Sequence, residues 1–390
     1  MYVDKLVFAQ LMEFLPRHEF NTCVRRYGGD KRSRGFTCRD QFLCLAFGQL
    51  TFRESLRDIE TCLRAVSGKL YHAGFRGRIS RSTLADANLA HDWRIFADFA
   101  QVLITRARTL YAADTFGVAL KNTAYALDST TIDLCLNLFP WAKFRRRKGA
   151  VKLHTLLDLR GNIPCFVRIT HGKTHDVTVL DHLPVEPGAF YMIDRGYVDF
   201  GRLHKLTRQA AFFVTRPKKN LDYTRRSYRR VDKTTGLRSD QTIGLAGVKT
   251  SQLYPESLRR ICFYDGEHDR RLTFLTNNFS LPAQVIADLY RCRWQVELFF
   301  KWIKQHLRIK AFYGNSENAV KTQVWVAVSV YVLLAIIKRE LKIDARSLSE
   351  MQQILSVTLF EKTPVSQALA TTILPDPNLT SPKQLHLFDL

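Results

Sequence analysis

The sequence predicts an α/β fold: a domain built on a mixed β-sheet, with a helical segment ahead of it and further helices behind. Three observations carry this. Between residues 123 and 215, short apolar and β-branched runs alternate with helical stretches, as in domains that pack helices on a mixed sheet. Residues 1–72 and the chain from Leu281 onward show helical rather than period-two patterning. Apolar residues make up 46% of the 390, enough to bury a sizeable core without disulfide staples.

Residues 1–75 form the expected helical N-terminal domain. Gln41 to Leu50 (QFLCLAFGQL) is an apolar helix, Ser55 to Leu63 is another, and Arg25 to Arg39 is a connector rich in Gly, Arg and Lys. Short helices with basic connectors suit a DNA-binding module or a cap packed on the rest of the chain; no helix-turn-helix pattern stands out. Residues 76–120 are expected as a helical linker, with one helix over 80–113 capped by Ser82 or Thr83. A third domain is expected over 121–345. Its strands are Tyr125 to Leu134, His154 to Leu159, Ile163 to His171, Ala189 to Asp194 and Ala211 to Thr215. Asp176 to Leu183 and Phe200 to Leu206 are short helices between them.

Residues 216–280 break the rhythm and are expected as a β-rich insertion, with strands at Arg260 to Tyr264 and Leu272 to Thr276. Its Lys218 to Lys233 stretch is dense in Lys and Arg with Tyr223 and Tyr228 interleaved, which suits nucleic-acid contact as well as a solvated face. Pro282 fits the first turn of a helix running to about Leu307. A second helix covers Glu317 to Leu341, and 346–390 is a tail, partly helical and then Pro-rich.

The net charge is +23 and the pI about 9.9. Such a charge attracts polyanions, and nucleic acid leads because neutralising phosphates releases counterions. An anionic membrane would call for an amphipathic or lipidated anchor. The start, MYVDKLVFAQ, lacks a basic segment followed by a long apolar run. The most apolar stretch, Trp325 to Ile337, is 13 residues, short of the roughly 20 that span a bilayer, so a core helix is expected. The eight cysteines form no C-x-x-C pair and no zinc-finger spacing with histidine; reduced, mostly buried thiols in a cytosolic protein are expected.

The stretch YRCRWQVELFFKWIKQHLRIK, Tyr290 to Lys310, carries the sharpest pattern. On a continuous helix, Tyr290, Arg293, Glu297, Lys301 and Lys304 fall within a face roughly 80° wide. Leu289, Val296, Phe300, Ile303 and Leu307 form an adjoining apolar stripe able to dock on a sheet. An i,i+4 ion-pair lattice would explain Glu297 and Lys301 equally well. Two aspartates sharpen the reading. Asp128 lies in the apolar run AYALDSTTIDLCL, and Asp194 ends the apolar run AFYMI before a Gly turn. The C-terminal end of a strand is where an open α/β sheet places its active site, although each Asp also suits a turn or a helix cap. Three carboxylates in a basic chain suit hard divalent cations with phosphate oxygens as co-ligands.

The spacing Y-(2)-R-(3)-E-(6)-K of Tyr290, Arg293, Glu297 and Lys304 resembles the signature of the insertion-sequence-4 family of DDE transposases. LDSTTIDL around Asp128 and MIDRGY around Asp194 resemble that family's two catalytic Asp motifs, and GNSENAVKTQVWVA resembles its post-signature helix. The resemblance covers nearly the whole chain. It implies a ribonuclease H-like core with a β-stranded insertion before the Glu helix. Asp128, Asp194 and Glu297 would be the catalytic residues, binding two Mg²⁺ or Mn²⁺ ions, while Tyr290, Arg293 and Lys304 would hold the DNA backbone. Lys301, on the same face, joins the DNA-binding set. The implied activity is cut-and-paste transposition on double-stranded DNA, at terminal inverted repeats and target sites, by a homodimer. An aromatic residue of the insertion would stack on a flipped base, with Tyr223, Tyr228 and Tyr254 as the candidates. A ribonuclease H-fold nuclease without strand transfer, or a non-catalytic DNA-binding repressor, are the alternatives.

Overall fold

A computed structural model describes residues 5–370 except 32, 34, 147 and 308–311. Six helices come first: α1 (Val7–Glu13), α2 (Arg17–Arg26), α3 (Cys38–Leu50), α4 (Leu56–Ala65), α5 (Arg81–Ala90) and α6 (Trp93–Leu110). Their starts are written locally. Thr37 and Asp40 form a reciprocal capping box on α3, and Ser55 caps α4. The single helix expected over 80–113 is two. Ser80, not Ser82 or Thr83, caps α5, and Asp92 caps α6 after a break at His91. The α6 helix packs against the strand Ile163–His171 and the helix Glu317–Glu340.

Ten strands follow: β1 (Ala124–Leu134), β2 (Lys143–Arg145), β3 (Lys148–Asp158), β4 (Ile163–His171), β5 (Phe190–Ile193), β6 (Phe212–Thr215), β7 (Tyr223–Arg229), β8 (Leu237–Leu245), β9 (Leu258–Asp265) and β10 (Arg270–Thr276). They form one sheet in the order β2-β3-β1-β5-β6-β10-β9-β8-β7, with β4 also paired to β3. The β1–β5 and β5–β6 pairs are parallel and all others antiparallel, so the expected mixed sheet is present. The charged run after Lys218 is itself a strand, β7, at the sheet edge. The periodicity did not show it, because six of its seven residues are exposed. Helix α7 (Phe200–Arg208) links β5 to β6, and α8 (Val248–Leu253) lies between β8 and β9.

Behind the sheet come α9 (Ala283–Arg291), α10 (Trp294–Leu307), α11 (Glu317–Glu340), α12 (Leu348–Thr358) and α13 (Val365–Ala368). The 24-residue α11 is long and apolar enough to cross a membrane, longer than the 13-residue run suggested. Yet 94% of its most apolar 18-residue window is buried inside the protein, against α6, α3, α10 and α12. A helix apolar on all sides reads as a core helix when its own chain covers it. The core on this side of the sheet is continuous from Leu6 to Leu369, so the N-terminal helices share it with the sheet. A second, smaller core lies on the opposite face, under Tyr125, Leu127, Tyr191 and Ile193. All eight cysteines are free thiols. Three are buried, four intermediate and Cys135 exposed, so burial is less general than expected. The Pro-rich end of the tail, from residue 371, lies outside the described residues.

Candidate active site

The parallel register of β1 and β5 brings the two aspartates together. Leu127 pairs with Ile193, so the next residue on each strand, Asp128 and Asp194, stands beside the other where the parallel pairing ends. Strand alternation sets the face. Ala126 and Met192 belong to the core that contains α10, while Leu127 and Ile193 belong to the opposite one. Asp128 and Asp194 therefore stand on the α10 side. Asp194 also caps the following turn, its Oδ2 accepting from the Gly196 N–H at 3.2 Å, as its turn reading expects.

The signature segment is not one helix. α9 ends at Arg291 and α10 begins at Trp294, with Cys292 and Arg293 in the turn between. The single face expected over 290–304 is thus broken between Tyr290 and Glu297. The apolar stripe survives the break: Leu289, Val296, Phe300 and Ile303 are buried. The side chain of Leu307 and residues 308–310 lie outside the described set. α10 packs on β1 and β3. At the turn, Arg293 Nη1 donates to Asp128 Oδ2 at 2.6 Å and Nη2 donates to Glu297 Oε1 at 2.5 Å. Its guanidinium lies 5.8 Å from the centre of the Tyr290 ring, which itself packs on Phe274 at 5.0 Å. Tyr290 is 9% exposed, whereas Lys301 and Lys304 point to solvent.

Burial pushes the Asp128 carboxyl up to about 6. Its bond from the Ser129 N–H and the charge of Arg293 oppose that, while Asp194 and Glu297 add to it. Burial also works against charge on Arg293, but Tyr290, Asp128 and Glu297 outweigh it and hold the guanidinium above its ordinary value. The three carboxylates do not present oxygens all within 4.8 Å of one another. Among the described residues, such sets are Asp30–Cys38–His91 and Asp265–Glu267–His268. The Arg293 guanidinium lies between Asp128 and Glu297 and takes up their facing oxygens. The donor set is nonetheless all carboxylate, with one member desolvated enough to resist ionisation unless positive charge is near. That chemistry fits a hard divalent cation.

Sequence reasoning passed over a polar layer on the opposite face of β1. Ser129 Oγ donates to Asp176 Oδ1 at 2.9 Å, and Lys152 Nζ donates to the same oxygen at 3.1 Å. Asp176 read only as the start of a short helix, and its role depends on a contact across 47 residues. The aromatic candidates of the insertion also separate. Tyr254 is 1% exposed with its hydroxyl at 2.9 Å from Thr207 Oγ1, Tyr223 lies under Arg260, and Tyr228 is 70% exposed.

Residues 120–333 match the family described as Transposase DDE domain, and residues 3–76 match a domain of unknown function. A protein named as a transposase in Sinorhizobium fredii is 36% identical over 260 residues, 66% of this chain and 71% of that protein. One named for an insertion sequence element in Geobacillus stearothermophilus is 34% identical over 53% of this chain and 55% of its own length. A third, in Synechocystis, is 27% identical over 55% and 60%. Among solved structures, a piggyBac transposase synaptic complex with hairpin DNA aligns over 96% of this chain and 84% of that chain, at TM-score 0.47 and 9% identity.

Proposed function

The chain belongs to the DDE transposase family, and from that premise we propose that it excises and inserts an insertion sequence by cut-and-paste. The family implies a ribonuclease H-like core for the sheet around β1, β5 and β6, and chemistry that uses divalent metal ions. The reading assigns Asp128, Asp194 and Glu297 as the residues that would hold two Mg²⁺ or Mn²⁺ ions. When bound, such a pair activates the attacking oxygen and stabilises the leaving one in an in-line phosphoryl displacement.

The observation that carries the proposal is the meeting of Asp128 and Glu297 on one guanidinium, with Asp194 beside Asp128 by strand register. Residues 169 positions apart along the chain thus face one place, in a protein of net charge +23. Arg293 and Tyr290 position the backbone next to the scissile phosphate, and the exposed Lys301 and Lys304 bind phosphates along α10. In the first step water displaces the 3′-oxygen at the scissile phosphorus, leaving a 5′-phosphate and a 3′-hydroxyl at the end of the element. In the second, that 3′-hydroxyl attacks a phosphodiester and releases another 3′-oxygen, so no bond energy needs to be supplied from outside.

The spacing of Tyr290, Arg293, Glu297 and Lys304 supports reading the chain as a member of the insertion-sequence-4 group. If a flipped base is stacked, Tyr228 is the residue exposed to do it. The partners are the terminal inverted repeats and target DNA, the working form is a homodimer that brings two ends together, and the setting is the bacterial cytoplasm. The test is divalent-ion-dependent cleavage of terminal-repeat DNA by Glu297→Gln beside the parent protein. The variant is expected to lose cleavage and strand joining while still binding the DNA; cleavage at the parent rate would refute the assignment. Cleavage without joined products by the parent would favour a nuclease, and salt-sensitive binding without cleavage would favour a repressor.

A further inference from the structure

Beneath the candidate carboxylates, on the other face of the same strands, lies a polar cluster that the proposed chemistry does not use. Along β1 and β3, Ser129 pairs with His154 and Thr131 with Lys152. Alternation puts the Ser129, Lys152 and His154 side chains opposite the face that carries Asp128. All three turn toward Asp176, in the 3-10 turn Asp176–His182 that leads into β5. One carboxylate oxygen, Asp176 Oδ1, accepts from Ser129 Oγ at 2.9 Å and from Lys152 Nζ at 3.1 Å, and lies 3.8 Å from His154 Nδ1. Lys152 is further held by a bond to the Thr174 carbonyl at 2.9 Å.

The cluster reaches the other face through the peptide of Ser129. Its N–H donates to Asp128 Oδ1 at 2.7 Å. The hydroxyl and the amide of one residue are thus gripped from opposite sides of the sheet, by Asp176 below and Asp128 above. A second observation falls in the same place. The Tyr197 hydroxyl, three residues after Asp194, is buried, and the groups around it are Ser129, Asp128, Asp176 and Asp194. Here it stands where any movement of Ser129 or of the two aspartates would meet it.

We propose that Asp176 is a positioning residue for the cation-binding carboxylates, orienting Asp128 through Ser129 and tying β1 to the segment that leads to Asp194. This rests on the assignment of Asp128 as a cation ligand. Groups that orient a metal ligand from behind typically change metal affinity by about 10–100-fold when removed.

The test is Mn²⁺ binding to the full chain without DNA, followed by the loss of the free-ion electron paramagnetic resonance signal, with thermal denaturation alongside. Asp176→Asn and Ser129→Ala are each expected to weaken Mn²⁺ binding about 10-fold. The double variant should be no weaker than either single one, because both act along one path. Ser129→Thr, which keeps the hydroxyl, should restore binding. If Asp176→Asn fails to fold, Ser129→Ala alone decides, since it leaves the Asp176–Lys152 pair in place. Asp128→Asn separates the two levels of argument. If it binds Mn²⁺ as the parent does, the site assignment itself falls. If it loses binding while Asp176→Asn and Ser129→Ala bind at parental affinity, the positioning role is overturned and the site assignment stands.

Discussion

Arg293 donates to Asp128 at 2.6 Å although the two are 165 positions apart in the chain. The bond joins the turn between α9 and α10 to the middle of β1, and the other guanidinium nitrogen holds Glu297. Arg293 is 16% exposed, Asp128 20% and Glu297 33%. The charges are therefore only partly hydrated and depend on one another.

Removing the guanidinium leaves two carboxylates facing each other without a counter-charge. Arg293→Ala is expected to destabilise the metal-free protein by roughly 2 kcal/mol, below the figure for a fully buried pair because these groups keep some water. Thermal denaturation in a chelating buffer measures it, and an unchanged melting temperature would show that the pair contributes nothing net. Millimolar Mg²⁺ should recover part of the loss.

Asp128 yields a prediction of opposite sign. Its folded value, about 6, is above that of a free carboxyl near 3.8. The stability this contributes is fully present below pH 3.8 and is lost as pH rises through 6. At pH 8 the ionised group therefore costs the fold about 1–3 kcal/mol. Asp128→Asn should melt higher than the parent at pH 8 in chelator, and the gap should close toward pH 4. In the parent, the divalent-ion concentration needed for half-maximal cleavage should rise as pH falls through 6, because the proton competes for the same oxygen.

His154, fully buried on the opposite face, behaves differently. Burial lowers its ring to about 4 from an ordinary 6.5, against the pull of Asp176. A depressed value means stability that is present above pH 6.5 and lost as pH falls through 4. The size is about 3 kcal/mol. His154→Gln should flatten the fall of melting temperature between pH 6.5 and 4; an unaltered slope there would locate the acid sensitivity elsewhere.

Lys301 and Lys304 are exposed on α10. If they contact phosphates, Lys304→Ala should weaken binding to terminal-repeat and unrelated DNA by a similar factor. It should also lower the slope of log K against log salt by about 0.9. A loss confined to one sequence would instead mean that this side chain reads bases.

Tyr228→Ala and Tyr254→Phe separate the insertion's aromatics. Tyr228 is open to solvent, and its loss should change folding stability by no more than about 0.5 kcal/mol while reducing processing of the DNA end. Tyr254→Phe removes a bond to Thr207 inside the smaller core and should cost stability, about 1 kcal/mol, without a specific effect on end processing. Processing is read on labelled end fragments; parental processing by Tyr228→Ala would exclude a stacking role.

Local patterning by itself determined a good deal. The parallel strands β5 and β6, the apolar β1 and β4, the helices α3, α4 and α11, and the basic character of the chain follow from periodicity and composition, because burying one face or one stripe is a local constraint on residue order. The carboxylates and the signature spacing were legible for the same reason. Only the tertiary structure decided which of them meet. The break at Cys292–Arg293, invisible to a helical projection, turns the arginine onto Asp128. The register of Leu127 with Ile193 sets Asp194 beside Asp128, and the Asp176 contact with Ser129 forms through the thickness of the sheet. Strand β7 was hidden because an exposed edge strand has no apolar face to betray it. Each of these depends on pairing between distant segments, and residue spacing along one segment carries no information about the partner against which it will be buried.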